Sequence, residues 1–445
     1  MIDSILYRAY RSFNLSRYNY SVIRNLLLLI FLISIPFYAD AIDVEKLSHQ
    51  AYVWQRSWDA RLKTSIEANA SLLDGLTVLI AEISPSEDGG SVVHIPVDFD
   101  ALRATQKPIT FAIRIGGYSG SFDPDQPMTR RLMSEVQSAL EACSINELNL
   151  AAIEIDFDCA TSRLEGYAKW LKELRSVLGD VPLSITTLPT WMNRPEAFKY
   201  LVQSTDHFVL QVHSIKRPDT ISSQVMLCDP ADARRWVSGA GIFGVPFHVA
   251  LPTYGYRIGF DSLGKLVEVC GENASLIKNP NLRYRVIRAK PVLMSHLVQE
   301  FRQKRPEHCE GIIWYRLPIG KERFNWDSLT WRTVIAGRAE VSDWHLQSVK
   351  QADGSIEIQI KQKSAIARKP PHQVVVEWSD ATAIAWDGQR NYDVNAVTQN
   401  CLIWQWPKTM TAPLLPQDTH WTIGWVRMDQ IAEINLTLSS KPKIL

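Results

Sequence analysis

At 445 residues the chain is long for one domain, and its length favours two or three. Hydrophobic residues make up 46% and charged residues 21%, proportions of a globular protein with a sizeable core rather than a disordered chain. A formal net charge of +1 leaves no overall basic field, which excludes nucleic acid and anionic lipid as partners drawn by bulk charge.

The N-terminus reads as a targeting segment. Arg8, Arg11, Arg17 and Arg24 precede an apolar run from Leu26 to Phe37, and Ala39-Asp40-Ala41 supplies small residues for cleavage before Ile42. The expectation is a signal peptide over residues 1–41 and an exported protein, periplasmic or extracellular. An uncleaved anchor is the alternative and would be the one membrane contact.

From Tyr52 to Tyr315 short apolar runs alternate with helix-like segments, the pattern of βα units. Eight runs can be counted, starting at Tyr52, Leu76, Ile109, Ala151, Leu183, His207, Phe247 and Gly311. Amphipathic helices are predicted between them, including Thr129–Ala142, Leu164–Leu178 and Met294–Lys304, with Thr161 or Ser162 as cap of the second. Eight strands with intervening helices predict an α/β fold, a (β/α)8 TIM barrel over residues 42–338. After Arg338 period-two segments take over, from Ile356, His372, Leu402, His420 and Glu433, with turns at Asp353-Gly354 and Asp387-Gly388. Residues 339–445 are therefore predicted to form a β-rich, sandwich-like module. Its Trp386, Trp404, Trp406, Trp421 and Trp425 suit either a sugar platform or, more simply, a core.

Six cysteines allow fifteen full pairings. A Cys228–Cys270 bridge is expected, because both follow adjacent strands at one end of the barrel; Cys143 and Cys309 precede opposite strands. No Cys-x-x-Cys, phosphate-cradling glycine loop, G-x-S-x-G or H-E-x-x-H occurs, so no cofactor and no metal is expected.

Chemistry concentrates in the fourth run, Ile153-Glu154-Ile155-Asp156-Phe157-Asp158. Alternation puts Glu154, Asp156 and Asp158 on one face and the apolar residues on the other. With the apolar face against the helices, the carboxylates face the barrel interior and rise toward the C-terminal mouth, where barrel enzymes keep their active sites. Like charges about 6–7 Å apart resist joint ionisation, so one carboxyl should stay protonated, as a general acid requires. Arg114 on the third run can face Glu154 or Asp156. Gln211, His213 and Tyr254 can reach the mouth as substrate-binding residues, and Trp314 near the end of the eighth run can floor it.

These residues resemble glycoside hydrolase family 18, the chitinase-like family, from about Tyr52 to Tyr315. Arg114-Ile115-Gly116-Gly117 resembles the family's serine-x-glycine-glycine. Ala151 to Asp158 resembles its aspartate-glycine-x-aspartate-x-aspartate-x-glutamate signature. Pro252-Thr253-Tyr254-Gly255 and Trp314 are similar to its later motifs. The chain also resembles a group of exported bacterial barrel proteins with the same I-x-I-D-F-D strand and no assigned activity. The family resemblance implies a glycosidase with Asp158 as acid and Asp156 orienting the substrate's acetamido group, which attacks in place of an enzyme nucleophile. Asp158 is one methylene shorter than the family's glutamate, Arg114 replaces a small serine, and His213-Ser214 stand where the family has tyrosine and aspartate. The reading is a glycoside hydrolase acting on an envelope or extracellular polysaccharide, with Asp158, Asp156 and Glu154 as catalytic candidates. The alternatives are a carbohydrate-binding barrel without turnover and a structural envelope protein.

Overall fold

The computed structural model describes residues 46–438, apart from 215–217, 222, 224, 272–278, 321, 339–343, 380, 431 and 433. The expected signal peptide lies outside the described residues. Among those described, no helix is long and apolar enough to cross a membrane.

The strands from the N-terminal side are β1 (Ser48–Val53), β2 (Gly75–Ser84), β3 (Ser91–His94), β4 (Ile109–Ile115), β5 (Leu150–Phe157), β6 (Leu183–Thr187), β7 (His207–Gln211) and β8 (Phe247–Pro252). A three-stranded excursion follows, β9 (Gly255–Phe260), β10 (Leu266–Cys270) and β11 (Arg283–Arg288), before β12 (Cys309–Tyr315). The parallel order β1-β12-β8-β7-β6-β5-β4-β2 closes through a β1–β2 pairing, giving the eight-stranded barrel. β3 adds to β2 as an antiparallel hairpin strand. The helices are α1 (Ala60–Asn69), α2 (Phe99–Ala104), α3 (Pro127–Ile145), α4 (Leu164–Leu178), α5 (Pro195–Val202), α6 (Pro230–Gly241), α7 (Pro291–Gln303) and α8 (Ser328–Ile335).

Two apolar layers hold this together. Ile153, Ile155 and Phe157 enter the layer between barrel and helices, where the Phe157 ring meets Tyr167 of α4 at 5.2 Å. Burying each large side chain there is worth roughly 1.5–3 kcal/mol. The second layer, inside the barrel, is smaller and includes Tyr52, Leu79, Ala112, Val209, Ala250 and Ile313. Below it the interior turns polar, with the Gln50 side-chain amide 3.2 Å from His248 Nε2. That polar layer explains one difference from the sequence reading. The first strand begins at Ser48, not Tyr52, because Ser48-His49-Gln50 lacks the apolar signature of a strand. The α4 cap also differs: Thr161–Arg163 form a short 3-10 turn, and Arg163 precedes the helix with no side-chain cap.

Beyond α8 the strands are antiparallel: β13 (Trp344–Lys350), β14 (Ser355–Gln362), β15 (Gln373–Trp378), β16 (Ala383–Gly388), β17 (Asp393–Thr398), β18 (Cys401–Gln405), β19 (His420–Met428) and β20 (Ile434–Leu438). They form two four-stranded sheets, β13-β14-β19-β16 and β17-β18-β15-β20, over a shared core. Gly354, at φ 82°, makes the first expected turn. The second is displaced: Asp387-Gly388 ends β16, and the chain reverses at Arg390-Asn391, both at positive φ. Trp404 and Trp406 are buried in the core, and of the five tryptophans only Trp386 is exposed, so they do not form a common platform. No cysteine is joined in a disulfide. The expected Cys228–Cys270 bridge fails because Cys228 is buried in the barrel–helix layer, whereas the Cys270 thiol donates to Glu268 on β10.

Candidate active site

The carboxylates of β5 form a ladder graded in exposure. Glu154 is at the bottom, 1% exposed. Tyr52 donates to its Oε1 at 2.8 Å and Ser184 to its Oε2 at 3.2 Å. Burial raises its pKa to about 8, with Asp156 adding to the rise against the pull of the two hydroxyls. Glu154 is thus the carboxyl that keeps its proton at neutral pH. Enclosed at the bottom of the ladder, it is held by Tyr52 and Ser184 below the part of the site that opens at the mouth.

One rung higher, the Asp156 side chain is 14% exposed. Thr186 donates to its Oδ1 at 2.7 Å, and Arg114 Nε lies 3.9 Å from Oδ2. Burial raises its pKa to about 6; Thr186 and Arg114 oppose the rise, while Asp158 and Glu82 add to it. Asp158, just past the strand end, is exposed at the rim. The strand registers align Glu82, Arg114 and Asp156 across β2, β4 and β5. Arg56 then grips Glu82 with two bonds of 2.5 and 2.7 Å. Charge alternates along this row, so no cation or anion in it stands beside its own kind.

Opposite the ladder the mouth is aromatic. His213 stacks on Tyr315 with centroids 5.5 Å apart, and Tyr254 shares a 3.3 Å hydrogen bond with His213 Nδ1. Tyr315 packs edge-on against Tyr52 and Trp54 at 5.6 and 5.7 Å. Burial lowers the His213 pKa to about 4, so its ring is neutral near pH 7 and does not serve as a proton donor there. Gln211, at the end of β7, is half-buried.

Arg114, Asp156, His213 and Tyr254 therefore come together where the sequence reading expected them. Trp314 does not. It faces outward into the helix layer, fully buried, its indole N–H donating to His49 Nδ1 at 3.3 Å and its ring against Trp326 and Trp331. Its neighbour Tyr315 holds the mouth position. Sequence reasoning also missed Tyr52, Trp54, Glu82 and Thr186. Parity on their strands was the available signal for Tyr52 and Thr186, whereas a β-bulge between Leu79 and Ala81 breaks the alternation that would have pointed to Glu82. Among the described residues, no group of three or more His, Cys, Asp or Glu side chains is arranged to hold a metal ion.

A family described as a domain of unknown function (DUF3142) matches residues 105–320. No curated protein matches the chain. Among solved structures, the chain is similar to a chitinase from Chromobacterium violaceum, at 14% identity and a TM-score of 0.45, covering 66% of this chain and 100% of that one. It is similar to the spore cortex-lytic enzyme SleL of Bacillus cereus, at 14% identity and a TM-score of 0.48, covering 65% and 74%. It is also similar to a class V chitinase from Pseudomonas fluorescens, at 13% identity and a TM-score of 0.46, covering 66% and 100%.

Proposed function

We propose that the barrel mouth hydrolyses a glycosidic bond in an envelope or extracellular polysaccharide, with Asp158 as general acid and Asp156 as its partner. The observation that carries this reading is the graded ladder on β5, a rim carboxyl above a half-enclosed one of pKa about 6. Asp158 is exposed and free to approach a glycosidic oxygen. Asp156, once ionised, offers negative charge to the sugar carbon as positive charge develops on it. Tyr254 and Tyr315 are half-buried, and each leaves part of an aromatic surface for a sugar face. Export, read from the basic leader and apolar run, would bring the protein to such a substrate.

A second reading, binding without turnover, is favoured by Arg114. Its guanidinium stands beside Asp156 where the chitinase-like motif has a small serine, and it holds part of the charge that a reacting sugar would need.

The test is a panel of oligosaccharides and cell-wall polymers, scored for both binding and product. For any substrate that is turned over, Asp158→Asn should lower the rate by about a hundredfold or more while binding persists, because shape is kept and the donatable proton is lost. Unchanged hydrolysis by Asp158→Asn removes Asp158 from the mechanism. Glycan binding with no product from the parent protein establishes the second reading.

A further inference from the structure

A large concavity lies away from the carboxylate ladder. It is a groove of about 1160 Å³ between the excursion after β8 and the C-terminal sheets. One wall carries Arg285, Arg288 and Lys290, and the other Arg368, Lys369 and Lys408. No aspartate or glutamate is among the described lining residues. The whole chain has 48 Lys and Arg against 47 Asp and Glu, so this is a local segregation of charge rather than a reflection of composition.

Backbone carbonyls fix two of the groove's guanidiniums. Arg285 Nη1 donates to the backbone carbonyl of Ile221 at 3.1 Å and to that of Ser223, and Arg288 Nη2 donates to the carbonyl of Arg323 at 3.3 Å. The Lys369 ammonium is held below the ordinary lysine range, first by loss of surrounding water and then by Arg288, Arg285 and Lys290. Cations crowded this way are relieved by an anion from outside. The volume far exceeds the roughly 30 Å³ of one water and suits an oligomer rather than a single ion.

Connectivity puts the groove at the active end of the barrel. Helix α7 starts on the C-terminal side of the strands, and its first residues line the groove. Val225 and Met226, also in the lining, belong to the loop that leaves β7 through His213.

We propose that this groove binds an acidic glycan, a chain whose sugars carry carboxylate or phosphate groups. The positive groove stands on its own residues; the choice of a glycan among polyanions rests on the proposed reading of the mouth.

The test measures binding of polygalacturonate, a phosphomannan, neutral dextran and single-stranded DNA to the full chain. The same probes are applied to a Lys290→Gln, Lys369→Gln, Lys408→Gln variant and to the single Lys369→Glu variant. The expected result is salt-sensitive binding of at least one acidic glycan, weakened about tenfold or more in the triple variant and measurably in Lys369→Glu. Dextran should fail to compete. Polygalacturonate binding identifies carboxylate recognition, and phosphomannan binding identifies phosphate recognition. The proposal is overturned if neither binds at low ionic strength, if the variants bind like the parent, or if dextran competes equally. Single-stranded DNA bound as tightly as the acidic glycans, with the same loss in the variants, overturns the glycan assignment. Product formation reports on the mouth and salt-sensitive binding reports on the groove, so failure at the groove is distinguishable from failure of the proposed hydrolysis.

Discussion

Glu154 and Asp156 are two residues apart on one strand face and differ in what surrounds them. Glu154 has lost water on every side, and two hydroxyl donors do not offset that loss; Asp156 has a guanidinium near and part of its surface open. The difference has a measurable consequence. An ordinary glutamate titrates near 4.5, and Glu154 is raised to about 8. Between those values the folded protein holds a proton that the unfolded chain has released, so stability falls as pH rises through this window. Glu154→Gln keeps the shape and removes the titration, its amide oxygen accepting from one of the two hydroxyls and its NH2 donating to the oxygen of the other. Its thermal midpoint should match the parent's below pH 4.5 and exceed it at pH 8. A parent protein that grows more stable across that interval would show that burial does not govern Glu154.

Among the elements, β5 was readable because its period-two alternation is strict and its two faces differ chemically. The eighth barrel strand, β12, was located correctly but read one residue out of phase, because two adjacent aromatics, Trp314 and Tyr315, both satisfy composition. Only pairing decides which one faces in. The seam where the barrel closes depends on a glycine. Gly311 pairs with Ser48, and a Cβ at that position would sit 2.3 Å from the Ser48 carbonyl oxygen. In an unconstrained strand Gly→Ala stabilises by roughly 0.5–1 kcal/mol. Here the clash is with the backbone carbonyl and Cβ of Ser48 across the seam, and Gly311→Ala should instead cost about 1–3 kcal/mol. Chemical denaturation checks the sign: a midpoint at or above the parent's would mean that the seam yields without loss.

At the scale of the whole molecule, the barrel and the C-terminal sheets meet through a defined polar relay. Asp327 caps α8, accepting from the Thr330 amide at 2.9 Å and its hydroxyl at 2.8 Å, and Thr330 Oγ1 in turn accepts from the buried Ala367 amide at 2.7 Å. Thr330→Val leaves that amide without its acceptor, at a cost of about 1–3 kcal/mol. We expect residues 339–445 to behave as a module, so the loss should appear as earlier tryptic cleavage after Arg338 with a protected C-terminal fragment. Simultaneous loss of both parts in a single unfolding step would place the boundary elsewhere.

By itself the sequence determined the barrel, the order of its strands, the antiparallel character of the C-terminal segment and the inward direction of Glu154 and Asp156 on β5. These follow from periodicity, which local residues carry. Tertiary structure alone decided the rest. Which carboxyl keeps its proton depends on water excluded by Tyr52, Ser184 and the barrel wall, none of them adjacent in the chain to Glu154. The absence of a Cys228–Cys270 bridge depends on which way each side chain packs. The cationic groove is invisible in a chain of net charge +1 because its six cations come from three separate segments, at 285–290, 368–369 and 408. Charge adds along a sequence, whereas electrostatic potential depends on distance in space, and only folding sets that distance.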